Sequence, residues 1–338
     1  MAVNVLIAAH FQEQWLERLQ RLSPDLHITL HPVRHNQPLP DSAWQDVEVA
    51  YTFSQYLPLP EQAPHLRWVQ LYSAGADLVL HHPLYQQTSV SFTTVSGIHA
   101  VSIGEYVLTV MLAWFHRLPL LLSWQQQARW RHLERSAEFK PEELRGKTLG
   151  IVGYGSIGRE VARLARIFGM RILAMQRSSD HRDTGFILPG VGDPDGSIPE
   201  RYYTFEQLHT MLHECDVVMI GVPLTEQTHH LFNQAAFQAM KPTSFLINIA
   251  RGDVCDEDAL IHALAEKQIA GAALDVVHTE PLPADSPLWK LPNVIITPHI
   301  SGLSSHYDER AAMVFEENLR RYLQGQPLFN LVEKARGY

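Results

Sequence analysis

Thr148-Leu-Gly-Ile-Val-Gly153-Tyr-Gly155-Ser156-Ile157-Gly158-Arg-Glu-Val161 carries an apolar strand straight into a glycine-rich turn that opens a helix. In that shape Gly153 permits the tight turn, Gly155 lets the backbone approach a pyrophosphate, and Gly158 lets the helix pack close to the strand. The N–H groups at the helix start, around Ser156 and Ile157, are left to hold phosphate oxygens. Glycine spacing alone is a weak signal, because many strand-to-helix turns are glycine-rich. The surroundings strengthen it. Ile157, Val161, Leu164, Ala165 and Phe168 keep a helical period, Gly169 stands as a C-cap, and Arg171 to Met175 reads as the next strand. The stretch predicts a dinucleotide-binding β-α-β unit.

Upstream, apolar runs near 3–9, 26–31, 47–53, 66–72 and 89–95 alternate with amphipathic or proline-containing segments, the rhythm of a first parallel α/β unit. From His99 to about Leu122 the pattern is helical, with Val107, Val110, Met111 and Trp114 on one apolar face. The polar segment after it reads as an exposed arm. Downstream, strands are expected near 216–222, 244–250, 271–277 and 293–297, and a last helix from Asp308 to Leu323 has the length to cross back onto the first unit. Residues 178–203, with Pro189-Gly190, Gly192, Pro194 and Asp195-Gly196, are long for a connection and read either as a surface loop near the ligand or as a plain insertion.

The 338 residues suit two domains, and 46% apolar content is ample for two cores. The formal charge of −9 is made of interspersed acids and bases, which offers no basic stripe for nucleic acid and no polybasic anchor for a membrane. Cys215 and Cys255 form no CxxC pair and read as structural thiols of a reduced, cytoplasmic protein. The opening Val3-Asn-Val-Leu-Ile-Ala-Ala9 is too short for a membrane span and lacks a basic leader, so it reads as a first strand. No metal cluster with convincing ligand spacing is expected.

Three apolar segments of the second unit end in unexpected polar groups: Asn248-Ile249-Ala250-Arg251-Gly252, Leu274-Asp275-Val-Val-His-Thr-Glu280-Pro281, and Thr297-Pro298-His299-Ile-Ser-Gly302. In doubly wound sheets the ligand crevice lies beyond the carboxyl ends of the strands, which makes Arg251, Asp275 and His299 candidates. Arginine offers a rigid fork of donors for a carboxylate and for a carbonyl gaining negative charge. Hydride transfer to a carbon bearing oxygen needs a proton partner for that oxygen, and imidazole suits it. Glu280, 19 residues before His299, is placed to fix the tautomer and stabilise the imidazolium. Each has a bland counterpart: most of the 19 histidines sit on the surface, an arginine after a strand often makes a surface ion pair, and Glu before Pro can merely end a segment.

Together with Ser73-Ala74-Gly75-Ala-Asp77, Gly97-Ile-His-Ala-Val-Ser-Ile-Gly-Glu105 and Leu144-Arg-Gly-Lys, these motifs make the chain resemble the D-isomer-specific 2-hydroxyacid dehydrogenases over nearly its whole length. The resemblance implies an α/β protein with a Rossmann-type cofactor domain, residues 99–302, inserted in a flavodoxin-like substrate domain, residues 1–98 and 303–338. It implies that Arg251 binds the substrate carboxylate and carbonyl, that His299 is the general acid and base, and that Glu280 pairs with His299. Asp275 would orient the nicotinamide carboxamide, and the backbone at Ala74 and Gly75 would hold the substrate carboxylate. Cofactor contacts are implied further at Val222, Pro223, Thr228, Ile249, Ala250 and Gly302. Closure of the lobes would exclude water. The family usually forms homodimers through the cofactor domain. Segment 118–140, with Trp124 and Trp130, supplies that arm or else serves the core.

One departure bears on the cofactor. An NAD-specific member places Asp or Glu at the end of the second cofactor-domain strand, where this chain has Gln176-Arg177-Ser178. Loss of the acid and gain of a cation favour a 2′-phosphate, hence NADP(H) over NAD(H). The expected function is an NAD(P)-dependent oxidoreductase that reduces a short 2-oxo acid, glyoxylate or hydroxypyruvate in type, to the D-2-hydroxy acid, favoured toward lower pH. Tyr51, Phe53, His306 and Tyr307 either line its pocket or pack the lobes. The alternatives are a dehydrogenase of phosphite or another small oxyanion, and a dinucleotide-sensing corepressor on the same fold. Formate fits poorly, since that branch pairs its histidine with glutamine where Glu280 stands.

Overall fold

The computed structural model describes residues 2–31, 33, 38–76, 78–130 and 139–332. Asp77 and residues 131–138 of the expected arm lie outside the described residues. The chain forms two compact units, one of Met1–His99, Thr184–Leu188 and Ser304–Tyr338, the other of Ala100–Asp183 and Pro189–Leu303. In chain order the first contributes β1 (Val3–Ala8), α1 (Glu13–Gln20), β2 (Leu26–Leu30), β3 (Val49–Thr52), β4 (Trp68–Leu71), α2 (Pro83–Gln87) and β5 (Ser91–Thr93). The second adds α3 (Ala100–Phe115), α4 (Leu118–Gln126), β6 (Thr148–Val152), α5 (Ser156–Ile167), β7 (Arg171–Met175), β8 (Arg201–Tyr203), α6 (Leu208–Glu214) and β9 (Val217–Ile220). It continues with α7 (Gln234–Ala239), β10 (Phe245–Asn248), α8 (Glu257–Ala265), β11 (Gly271–Leu274) and β12 (Val294–Ile296), and α9 (Tyr307–Leu323) returns to the first unit.

The first unit is a parallel sheet in the order β2-β1-β3-β4-β5, the flavodoxin-like winding. Its central strands are buried on both faces, so they read as continuous apolar runs rather than as alternation. α9 closes this core: Phe315 and Leu319 are fully buried among Val5, Ile7, Tyr51 and Trp68. Burial of each such side chain is worth about 1.5–3 kcal/mol. Gln70 gathers two of the polar groups inside: Asn318 Nδ2 donates to its Oε1 at 2.9 Å and Thr93 Oγ1 donates to the same oxygen at 2.9 Å. Tyr51 is a core residue here, stacked on Phe315 with ring centroids 4.8 Å apart.

The second unit is an all-parallel sheet in the order β12-β11-β10-β9-β6-β7-β8. Sequence order reverses between β6 and β9, which places a topological switch point beside the glycine turn. Val107, Val110 and Met111 of α3 are buried with Leu149, Ile151, Val161 and Ala165, and Trp114 stacks on Phe245 at 4.7 Å.

The structure departs from the sequence reading in two places, the helix expected to Leu122 and residues 178–203. The single helix expected to Leu122 breaks at Arg117, whose φ of 57° is left-handed, and α3 and α4 meet at a 67° bend. Trp124 is buried, whereas Trp130 is 93% exposed. Residues 178–203 are more than a surface loop: they end in β8 and bury Phe186, Leu188 and Asp193. Only distant partners reveal this, because the segment has the composition of a solvated turn.

Candidate active site

The glycine turn owes its shape to crowding on one side. Gly153 sits at φ 104°, and a β-carbon there would stand 2.8 Å from the backbone of Gly221 and 2.9 Å from Val222 Cγ1. One on Gly158 would stand 2.5 Å from the Gly153 carbonyl oxygen. Val152 and Ile220 are register partners, so the two glycines leave adjacent strands side by side. On Gly155, by contrast, a β-carbon meets nothing within 4 Å, which leaves the N-terminal end of α5 open. A closed inner wall, an open outer one and a helix N-terminus fit the diphosphate of a dinucleotide. Beside the turn, Thr228 Oγ1 donates to the Pro223 carbonyl at 2.6 Å and accepts from the Thr225 N–H at 2.8 Å.

At the end of β7 the Gln176 N–H donates to the Tyr203 carbonyl, fixing Gln176 to β8. Its Oε1 lies 3.3 Å from His181 Nδ1. Arg177 is exposed, and its guanidinium donates to Gln227 Oε1 at 3.0 Å. Ser178 follows, its hydroxyl accepting from the Asp180 N–H.

Asn248, Leu274 and Ile296 pair in register, so Ile249, Asp275 and Thr297 leave the sheet side by side. Asn248 shapes the first turn: its Oδ1 accepts from the Ala250 N–H and its Nδ2 donates to the Arg251 carbonyl, both at 3.1 Å. Arg251 Nη1 donates to the Ala250 carbonyl at 2.7 Å. A β-carbon on Gly252 would stand 2.1 Å from the Val277 carbonyl, which presses this turn onto the segment carrying Glu280.

Glu280 Oε2 accepts from His299 Nδ1 at 2.8 Å, and both side chains are partly exposed. His299 holds a left-handed backbone, φ 53°. Asp275, 2% exposed, organises the strand end around it. Its carboxylate accepts from the Thr297 hydroxyl at 2.6 Å and from the Ile300 and Ser301 N–H groups at 2.9 Å. Because the single Thr297 proton goes to Asp275, the 2.7 Å contact between Tyr106 and Thr297 has the tyrosine as donor. Burial pushes the Tyr106 phenol up to about 12. Ser102, one turn earlier on α3, donates to the Gly302 carbonyl at 3.5 Å. Next to this set His278 is hydrogen-bonded to Asp253, which raises its imidazole above the ordinary value.

Sequence reasoning missed Tyr106, Ser102, Thr297, His278 and Asp253. Helical spacing on α3 places Ser102 and Tyr106 on one face, but nothing in it names their partners. In the first unit, the turn that carries Ala74 and Gly75 has Ser73 Oγ donating to the Gly75 carbonyl at 2.8 Å. Tyr72 before it is hydrogen-bonded to Asp308, and the Tyr307 hydroxyl donates to the Tyr72 carbonyl at 2.7 Å. Burial pushes the Cys215 thiol up to about 12 and that of Cys255 higher still, in keeping with structural thiols. Among the described residues no group of three His, Cys, Asp or Glu side chains is placed to hold a metal ion. No single helix among them is long and apolar enough to cross a membrane.

Residues 108–301 match the family model of the D-isomer specific 2-hydroxyacid dehydrogenase NAD binding domain. A glyoxylate reductase of Korarchaeum cryptofilum is 34% identical over 81% of this chain and 78% of its own length. A D-isomer specific 2-hydroxyacid dehydrogenase family protein of Aeromonas salmonicida has a crystal structure with TM-score 0.78 and 30% identity, covering 99% of this chain and 100% of that one. The NADPH-dependent glyoxylate/hydroxypyruvate reductase of Sinorhizobium meliloti, solved with NADP and sulfate, has TM-score 0.74 and 26% identity, over 99% and 100% of the two chains.

Proposed function

From the premise that this chain belongs to the D-isomer specific 2-hydroxyacid dehydrogenase family, and so is a nicotinamide-dependent oxidoreductase, we propose that it reduces a short 2-oxo acid of the glyoxylate or hydroxypyruvate type, with NADPH preferred. The observation that carries the reading is the 2.8 Å contact between His299 Nδ1 and Glu280 Oε2. A carboxylate oxygen accepts only, so Nδ1 carries a proton and Nε2 is the nitrogen that serves the substrate.

The nicotinamide, when bound, supplies the hydride for reduction. Protonated His299 gives its Nε2 proton to the substrate oxygen, and Glu280 stabilises the imidazolium until then. Arg251 presents its donor fork to the carboxylate and to the oxygen gaining charge. Backbone N–H groups at Ala74 and Gly75 are further donors to the carboxylate. Asp275 fixes the turn that carries His299 through the hydrogen bonds described above and orients the carboxamide of the cofactor. Val222, Pro223, Thr228, Ile249, Ala250 and Gly302 are the residues that would hold the dinucleotide.

The cofactor preference rests on Gln176 and Arg177, which stand where a carboxylate would select a ribose hydroxyl. The same reading gives a homodimer through the cofactor unit. The test is NADPH and NADH absorbance followed in parallel with glyoxylate, hydroxypyruvate, pyruvate and bulky 2-oxo acids. NADPH-dependent turnover of a short acid is expected. Dinucleotide binding without turnover of any acid would overturn the substrate reading.

A further inference from the structure

We propose that His181 is a positioning residue for recognition of the cofactor's adenosine ribose: it holds the Gln176 carboxamide in one orientation and thereby governs how strongly the site distinguishes a 2′-phosphate from a 2′-hydroxyl. The inference rests on the cofactor reading given above and adds the group that sets it.

Gln176 Oε1 lies 3.3 Å from His181 Nδ1. The amide oxygen has no proton to give, so the imidazole donates and that oxygen is engaged. The amide nitrogen then turns away with two N–H donors, which suit phosphate oxygens and hold no acceptor for a hydroxyl proton. Were the amide loose, its oxygen would serve a 2′-hydroxyl equally well.

His181 is itself fixed from three sides. Its ring stacks on Tyr202, centroids 3.6 Å apart and planes within 3°. Its carbonyl accepts from Arg159 Nη2 at 2.6 Å. It covers Gly196, where a β-carbon would come within 2.3 Å of that same carbonyl oxygen. The Tyr202 hydroxyl donates to the Gly196 carbonyl at 2.7 Å, which closes the circuit. Arg159 is only 2% exposed and follows Gly158 directly, so one buried guanidinium ties this segment to the helix start that faces the diphosphate. Its Nη1 donates to the Asp193 carbonyl at 2.6 Å, and its Nε lies 3.4 Å from the Asp183 carboxylate. The segment after β7 is thus a template that presents Gln176.

The test is calorimetric titration of NADP+ and of NAD+, without turnover, into the wild type, His181→Phe, Gln176→Leu and the double variant. His181→Phe keeps a ring to stack on Tyr202 and deletes only the donor. The ratio of the two Kd values is expected to move about three- to tenfold toward indifference in either single variant, the scale of one oriented hydrogen bond. The double variant should move it no further than a single one, because both changes break the same contact. A ratio in His181→Phe that stays within about twofold of the wild type, or two effects that simply add, overturns the proposal. A wild type that does not favour NADP+ refutes the cofactor reading alone, since the shift and its non-additivity still judge His181. Should His181→Phe fail to melt cooperatively, His181→Leu is judged by the same ratio.

Discussion

Asp275 holds His299 by its backbone: the His299 N–H donates to the Asp275 carbonyl at 2.8 Å, while the Asp275 carboxylate takes the N–H groups of the next two residues. Asp275→Asn would turn an amide N–H toward donors that need an acceptor, a mismatch of about 1–3 kcal/mol in a buried place. The expected outcome is a lower melting temperature together with reduced kcat. Tyr106→Phe, one bond further out, should cost only about 1 kcal/mol and reduce kcat less. Thermal melts and steady-state rates with the best 2-oxo acid check the order. Equal effects of the two changes would contradict it.

His299→Ala should reduce kcat on the order of 10²- to 10⁴-fold, the usual scale for a positioned proton donor. Glu280→Gln keeps a hydrogen-bonding group of the same shape but removes the charge that favours the imidazolium, so its loss should be smaller. Single-turnover rates measure both. An unchanged chemical step in His299→Ala would remove it from the proton pathway.

The glycine turn permits a sharper contrast. At Gly158 a methyl group meets a carbonyl oxygen at 2.5 Å, whereas at Gly155 it meets nothing within 4 Å. Gly158→Ala is therefore expected to destabilise the protein by about 1–3 kcal/mol, as overpacking does. Gly155→Ala should melt like the wild type and, if the diphosphate lies over this turn as proposed, bind the dinucleotide more weakly. Melting curves with and without NADPH separate the two.

Asp193 gives a pH dependence. Burial opposes its ionisation, but the Ile198 N–H, the Tyr154 hydroxyl and the Ser197 N–H outweigh it and hold the carboxyl below the usual value. The unfolded chain then binds more protons, so this contribution is complete above the ordinary carboxylate value and is lost as pH falls through the depressed folded value. Asp193→Asn should be less stable than the wild type at pH 7, and the gap should close as pH falls below about 4. Urea melts across that range measure it. A gap that is constant in pH would mean the charge contributes nothing.

The strand-turn-helix at 148–161 was legible because glycine spacing and apolar periodicity are local. So was the emergence of Arg251, Asp275 and His299 at strand ends, since each polar residue interrupts an apolar run. The support around them was not. Tyr106 and Thr297 are 191 residues apart, and Arg159 reaches Asp193 across 34, so only the folded chain shows that they meet. Arg159 looks in sequence like any solvated helix cation. The break at Arg117 did have a local mark, since His116-Arg117 interrupts the apolar run and Pro119 opens the second helix.

Gly252 has a wider meaning. With the Val277 carbonyl and the His278 nitrogen where its side chain would be, the Arg251 turn and the Glu280 segment meet main chain to main chain at Gly252, beside the side-chain contact of His278 with Asp253. Their spacing is thus set by the least adjustable atoms of the protein, not by rotamers that loosen with warming. On heating, the distance between the Arg251 turn and the Glu280 segment is therefore expected to hold until the second unit itself melts.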